Sequence, residues 1–382
     1  NAAYERSMKS MDLLLEMYST MMSTSSFLIA SMVLLTMISG GGANSMFVVT
    51  ITTAILAALA SFIVMAYMLF PKDKISNTKY LPEAAKFKKK LYMGLGLGIA
   101  GGLGAALSGL VPVSIAITIA GAPLLLPGMM ARKMDAKVRK LDDYYPPFAR
   151  HLGDVYATVG SLGASLKSVL RSDFGDLSKY IEAMSNRVQS RIKIEDAFDL
   201  FSQETSSSLI AAGNTVLGSA MVKGANMLEV GAKLSDISSR FLETRSKRLQ
   251  SAKAFESTIL IMHVLTLGVF SLINRLLQFL QQYFSLQNSV SGHAASVITV
   301  SASDPAVMTF LLPAMAISLS AINAMALKVF QGGLYQTAWF TIAILMMIGG
   351  LVLFGIDGFL SNMLGNIIDI KSTVGAAVPG AK

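Results

Sequence analysis

A chain of 382 residues, 53% hydrophobic and only 14% charged, is too apolar for a soluble domain, where roughly a quarter of residues are charged, and reads as a membrane protein with some polar part. It has no cysteine, and its three histidines (His151, His263, His293) stand far apart, which excludes disulfides, thiolate chemistry and any readable His/Cys metal site. The net charge of +9 on such a chain points to basic loops held at the inner side of a membrane rather than to nucleic acid. The chain opens NAAYERS, with neither methionine nor a signal-peptide pattern, and is expected to be a piece of a longer protein or a mature chain lacking its beginning.

In chain order, a charged segment at 1–19 runs into an uncharged stretch at 20–38 that contains several Ser and Thr. Further apolar runs follow at 46–70, 91–111, 113–131, 257–274, 307–327 and 337–356. These make about seven expected transmembrane helices, since roughly 20 apolar residues cross a bilayer as helix. The loop 71–90, PKDKISNTKYLPEAAKFKKK, holds seven Lys and two acids. In the third run, GLGIAG (96–101) matches the G-x-G-x-x-G of a dinucleotide-binding turn. That turn follows a strand and needs an acid about 20 residues on. Here a lysine cluster precedes it, and the next acid after Gly101 is Asp135, beyond another apolar run. The glycines instead fit a period of four. Gly94, Gly98, Gly102 and Ala106 line one helix face, either as a small-residue stripe for close packing of another span or as simple tolerance of glycine in a membrane helix. Pro112 joins the third and fourth runs as a tight hairpin.

Residues 132–256 form the one domain-sized polar piece, with nineteen Lys/Arg and fifteen acids and no strand-like alternation. A basic helix at 131–143 is expected to end at Pro146-Pro147, because proline disfavours helix at the residue before it. This leaves Asp142-Asp143 at a solvated helix end. Apolar residues at i, i+3, i+4 spacing then predict helices at 148–162, 177–192 and 194–205 and a mostly apolar, buried one at 206–225. From Met227 a long helix leads straight into the fifth span. The sum is an antiparallel bundle of six helices, and a piece of this size can bury a core. His263 within the fifth span is either functional or a neutral, hydrogen-bonded packing residue. RLLQFLQQYF (275–284) is expected as an amphipathic helix on the membrane surface, followed by a polar loop at 285–306.

Charge sets the orientation. With the N-terminus inside, segments 1–19, 71–90, 132–256 and 328–336 are cytoplasmic and hold 2, 7, 19 and 1 of the 32 Lys/Arg; Arg275, Lys371 and Lys382 fall outside, with the 357–382 tail. The expected fold is therefore all-α: four spans in 20–131, a cytoplasmic bundle over 132–256, and three spans in 257–382. Segment 5–22 also aligns without gaps to 243–260, matching at Glu5/Glu243, Lys9/Lys247, Ser19/Ser257 and Thr20/Thr258. Both are charged helices entering a span, so 1–19 is expected to end a first bundle that precedes residue 1. No G-x-x-x-x-G-K-[ST] phosphate loop is present, so no enzyme or cofactor chemistry is expected by that route. Transport is disfavoured because no charge lies deep in any expected span.

The stretches FARHLGDVYATVGSLGASLKSVL (148–170), FGDLSKYIEAMSNRVQSRIKIEDAFDLFSQET (174–205) and MLEVGAKLSDISSRF (227–241) resemble the platform proteins of type IV filament machines, the type II secretion F family, and its archaellum branch most of all. Phe148 with Leu152, Gly160 or Gly163, Gly175 with Leu177, and Ala197-Phe198 stand where that family's degenerate bundle motifs stand. The family has two cytoplasmic bundles, of which one is complete here. The resemblance implies a non-catalytic, homodimeric membrane platform that contacts a hexameric secretion-type ATPase below and filament subunits, archaellins or pilins, above. A pilus or type II secretion platform is the near alternative. Two basic clusters suit such a role: Lys72, Lys74, Lys86, Lys88, Lys89 and Lys90, and Arg132, Lys133, Lys137, Arg139 and Lys140. Either anionic lipid or the ATPase surface would meet them.

Overall fold

The computed structural model describes residues 2–38, 45–69, 84–290 and 305–376. Every element among the described residues is a helix. In order these are α1 (Ala2–Ile38), α2 (Ser45–Leu69), α3 (Ala84–Leu107), α4 (Val113–Gly121), α5 (Leu125–Val159), α6 (Leu162–Val169), α7 (Ser178–Gln189), α8 (Ile194–Thr205), α9 (Ser208–Val222), α10 (Met227–Val290), α11 (Pro305–Gln331) and α12 (Ala338–Ala376). Six stretches are long and apolar enough to cross a membrane: α2, α3, the joined α4 and α5, α10, α11 and α12. The other expected span, 20–38, is the second half of the continuous helix α1, most of whose side chains beyond Leu28 lie outside the described residues.

The described side chains sort into two main cores. One joins α1, α2, α10, α11 and α12 through Tyr18, Leu59, Phe62, Phe255, Leu267, Leu319, Phe330, Met346 and Leu353. Between spans this packing works by van der Waals contact, because lipid is as apolar as leucine. The second core lies in the bundle, where Tyr145, Phe148 and Leu152 of α5 meet Leu166, Ile181, Phe198, Phe201, Ile210 and Leu217 of α6 to α9, and Met227 at the head of α10 closes it. Here burial in water supplies the drive, about 25 cal/mol per Å2 of apolar surface. Helices α5 and α10 belong to both worlds. Each runs unbroken from the bundle into the spans, and α10 at about 1.5 Å per residue is roughly 96 Å long.

The bundle turns follow from local chemistry. Gly160 (φ +69°) ends α5 in the left-handed region, its N–H donating to the Tyr156 carbonyl at 2.8 Å. Ser207 caps α9, accepting the Ile210 N–H at 3.1 Å. Of the two glycines that matched the family's turn position, Gly160 makes the turn, and Gly163 lies inside α6.

Several boundaries differ from expectation. Helix α5 does not end at Pro146-Pro147 but passes through both to Val159. Proline's fixed φ suits a helix, but each proline removes a hydrogen bond to the preceding turn and its ring crowds the carbonyl four residues back. Packed residues on both sides, Val138 and Leu141 before and Phe148 and Leu152 after, hold the helix through that loss. The 275–284 segment is not a separate surface helix; it continues α10. Helix α11 extends to Gln331, so Lys328 is a buried helical residue rather than part of a loop. Helix α12 continues to Ala376, well past 356, since no proline interrupts it before Pro379. Helix α9 is not buried all round: Val216 and Val222 are exposed, being off the stripe of Ile210, Gly213, Leu217 and Met221. The polar loop expected at 285–306 falls largely on 291–304, and the end of the tail on 377–382, both outside the described residues.

Candidate functional site

The most densely tied polar region lies where α5 and α10 pass from bundle to spans, beside the turn between α11 and α12. The two sequence-predicted basic clusters meet there. Phe87, in the first turn of α3, is buried against Ala131 and Met134 of α5 and Leu334 of the turn. That contact lays Lys86, Lys88, Lys89 and Lys90 beside the α5 segment carrying Lys133, Lys137 and Lys140; all seven are exposed. Lys72 and Lys74 lie outside the described residues. The two arginines of the second cluster do something else. Arg132 stacks on the Phe340 ring, 3.7 Å from its centroid, and lies 3.9 Å from Glu256 of α10. Arg139 Nε donates to Asp135 Oδ2 at 2.7 Å, four residues back on α5.

Asp135 accepts a second bond at Oδ1 from the Leu334 backbone N–H, at 3.0 Å. Arg248 of α10 donates to the carbonyls of Phe330 and Val329 at 2.8 Å each. Those carbonyls belong to the last turn of α11, which has no intrahelical donors and favours a cation. Gln331 Nε2 reaches Glu256 at 3.3 Å. The reversal itself uses Gly332 (φ +66°) and Gly333 (φ +83°). Thus α5 grips one side of the turn by Asp135 and α10 grips the other by Arg248, so both helices are tied to the junction of α11 and α12.

A second tie lies inside the bundle. Asp142 is fully buried, not at a solvated end as expected; only its neighbour Asp143 is exposed. Arg245 Nη1 of α10 donates to Asp142 Oδ2 at 2.6 Å, and the Ser207 hydroxyl donates to Oδ1. One carboxylate so joins α5, α10 and the cap of α9. This group lies beyond the span. Burial pushes its pKa up to about 6, against the pull of the Ser207 hydroxyl and the Arg245 guanidinium, so the carboxylate form prevails at neutral pH. Nearby, Tyr145 donates to Asn214 at 3.2 Å, and Asn214 Nδ2 donates to Ser202 at 2.9 Å. At the far end of the bundle α5 and α10 touch backbone to backbone: a Cβ added at Gly153 would stand 2.5 Å from the Met227 carbonyl oxygen and 2.9 Å from Gly231 Cα.

The glycine stripe packs within the chain. A Cβ on Gly94, Gly98 or Gly102 would meet Pro123 O at 3.0 Å, Ala120 O at 2.6 Å and Ala120 Cβ at 2.7 Å, so α3 lies directly on α4 and the turn after it; Ala106, one further turn on, is half-buried. His263 is wholly buried among the spans. Its Nδ1 lies 3.2 Å from Asn323 Nδ2 and its Nε2 3.2 Å from the Leu345 carbonyl. Tyr18 donates to Asn323 Oδ1 at 2.7 Å. Those partners suit a neutral ring with its proton on Nε2.

Sequence reasoning gave no role to Asp135, Arg245, Arg248 and Lys328, and put Asp142 in solvent. A signal was present for some of them. Arg245 falls on the same three-and-four-spaced stripe of α10 as Gly231, Ser235, Ser238, Ala252 and Ile259, and Asp142 follows Val138 by one turn on α5. A charge on a buried stripe needs an opposite charge on a facing helix. Among the described residues no cluster of three or more His, Cys, Asp or Glu could hold a metal ion.

Fold and ties together define an all-helical, multi-pass membrane protein whose helical bundle is carried on two helices continuous with its spans. Over 371 residues, covering 91% of this chain and 64% of the other, it is 24% identical to the flagella accessory protein J of Methanococcus voltae. Over 352 residues, 87% of this chain and 61% of the other, it is 23% identical to the flagella accessory protein J of Methanocaldococcus jannaschii. The chain is similar to these flagella accessory J proteins, which bears out the archaellum likeness read from 148–170, 174–205 and 227–241. It spans a little under two thirds of the length of these curated relatives. No family model matches it, and no solved structure does.

Proposed function

We propose that this chain is the membrane platform of an archaellum-type filament machine. It would pass the movements of a hexameric cytoplasmic ATPase to filament assembly, and in archaella to rotation, without chemistry of its own. The bundle and N-terminus face the cytoplasm in this reading, the filament subunits meet the other side, and two copies act together. The similarity to flagella accessory protein J supports the archaellum role over that of a pilus or secretion platform.

The observation that carries the reading is the continuity of α5 and α10 from bundle core to spans, with Asp135 and Arg248 gripping the α11–α12 turn. A force applied to the bundle reaches the spans through two unbroken helices tied side by side. A flexible linker at the same place would dissipate it.

Inserting a run of glycines after Ser246, an exposed position on α10 between bundle and span, tests this. Each glycine costs about 1 kcal/mol of helix relative to alanine, so the insert breaks the rod. The expected result is loss of filaments in cells, with pull-down of the cognate ATPase retained. Filaments of normal number and length would refute transmission of force along α10.

A further inference from the structure

The seven exposed lysines brought together by Phe87 sit at the ends of membrane spans, and we propose that they form one binding surface for anionic phospholipid headgroups. Three observations on different elements point to it. First, the carboxylates packed among them are already engaged, Asp135 with the Leu334 N–H and Arg139, and Glu256 with Arg132 and Gln331, which leaves the exposed Asp143 beside Lys140 against seven lysines. Arg139 is likewise tied to Asp135, and Arg132, though exposed, is held on Phe340 and beside Glu256, so most of the charge presented outward is lysine. Second, on α5 the three lysines are spaced by four and three, so they share one exposed face of the helix, about 100° round from the buried Met134, Val138 and Leu141. Third, the side chains next to them along the same helices are exposed and apolar. Tyr92 (72% exposed) and Met93 follow the lysines of α3, and Leu126 (60% exposed) and Met129 precede those of α5.

Exposed apolar residues on a span face acyl chains; the lysines of α3 stand within about two helical turns of Tyr92 and Met93, and those of α5 run from about one to about three turns beyond Met129. An ammonium on a four-carbon stem reaches from that level to the phosphate layer while its methylenes stay along the apolar surface. An acidic protein surface would satisfy the charge equally. It would not account for the lipid-facing surface that borders the lysines of α3 and Lys133 of α5. Attraction of this kind is worth a factor of about five per lysine near an anionic membrane. It weakens with salt as the screening length shortens.

The full chain, reconstituted in vesicles of mixed phosphatidylglycerol and phosphatidylcholine, tests the surface through the selectivity of spin-labelled lipids for its perimeter. One variant changes Lys86, Lys88, Lys89, Lys90, Lys133, Lys137 and Lys140 to Gln; a control changes Lys167, Lys193 and Lys223, exposed lysines of the bundle, to Gln. Helix content is matched by circular dichroism. The wild type and the control should prefer phosphatidylglycerol, and the seven-lysine variant should lose at least about fivefold of that preference, as the wild type does at high salt. Inorganic phosphate at millimolar concentration should leave the preference intact. Unchanged lipid selectivity in the seven-lysine variant overturns the proposal, including the case in which it loses a protein partner instead. So does an equal loss in the control, or displacement of the lipid by free phosphate.

Discussion

Asp142 and Arg245 show what a single pair of charges does in this fold. Each is among the few charged side chains fully inside the bundle, and each is satisfied by the other. Removing one partner leaves the other buried and unpaired, which typically costs 3–5 kcal/mol, or about that much for Arg245→Met here. Asp142→Asn keeps the shape and a hydrogen bond to Ser207 but strands the guanidinium, so it should cost a similar order. Changing both at once removes the stranded charge, and the double variant should be more stable than the sum of the single losses predicts, by on the order of 2 kcal/mol or more. Thermal unfolding of the three variants in detergent, followed by helix signal, measures this. Additive losses would mean that the two side chains do not act as a pair.

Among elements, α3 offers a sharper contrast, because its two glycine faces differ. Gly98 has the Ala120 carbonyl oxygen 2.6 Å from where a Cβ would be, whereas Gly96 has nothing within 4 Å. Gly98→Ala should therefore push α3 off α4 and cost about 1–3 kcal/mol, the usual penalty of overpacking. Gly96→Ala on the same helix should be neutral or gain up to about 1 kcal/mol from helix propensity alone. Urea- or heat-induced unfolding of the two variants side by side distinguishes a packing face from mere tolerance of glycine; equal effects would favour tolerance. The stripe was legible in the sequence because spacing by four is a one-helix property. Its neighbour was not, because the partner surface at Ala120 and Pro123 presents itself only once Pro112 has folded the hairpin. The same limit explains the bundle and the turn. Helices α7, α8 and the start of α10 follow from apolar period within a few residues. The passage of α5 through Pro146-Pro147 does not, since it depends on contacts with residues far along the chain. The Asp135–Leu334 and Arg248–Phe330 bonds bridge 199 and 82 positions, and no local pattern marks them.

For the whole molecule the decisive property is direction, because a platform that carries force from an ATPase must hold its bundle in the cytoplasm. The proposed orientation rests on charge: the loop 71–90 carries seven Lys and two acids, and short lysine-rich loops favour the inner side. The absence of native cysteine makes a direct test simple, since any cysteine introduced is the sole thiol in the chain. Ser190, at the exposed end of α7, and Ser172, between α6 and α7, are suitable positions in the bundle. Ser296, in the linker between α10 and α11, serves for the opposite side. In intact cells a membrane-impermeant maleimide should label Ser296→Cys and leave Ser190→Cys and Ser172→Cys unlabelled; in inverted vesicles the pattern should reverse. Because α10 crosses once between bundle and linker, both halves of the result must agree. Labelling of the bundle from outside would place it away from any cytoplasmic motor, and the unbroken rods of α5 and α10 would then have nothing inside the cell to transmit.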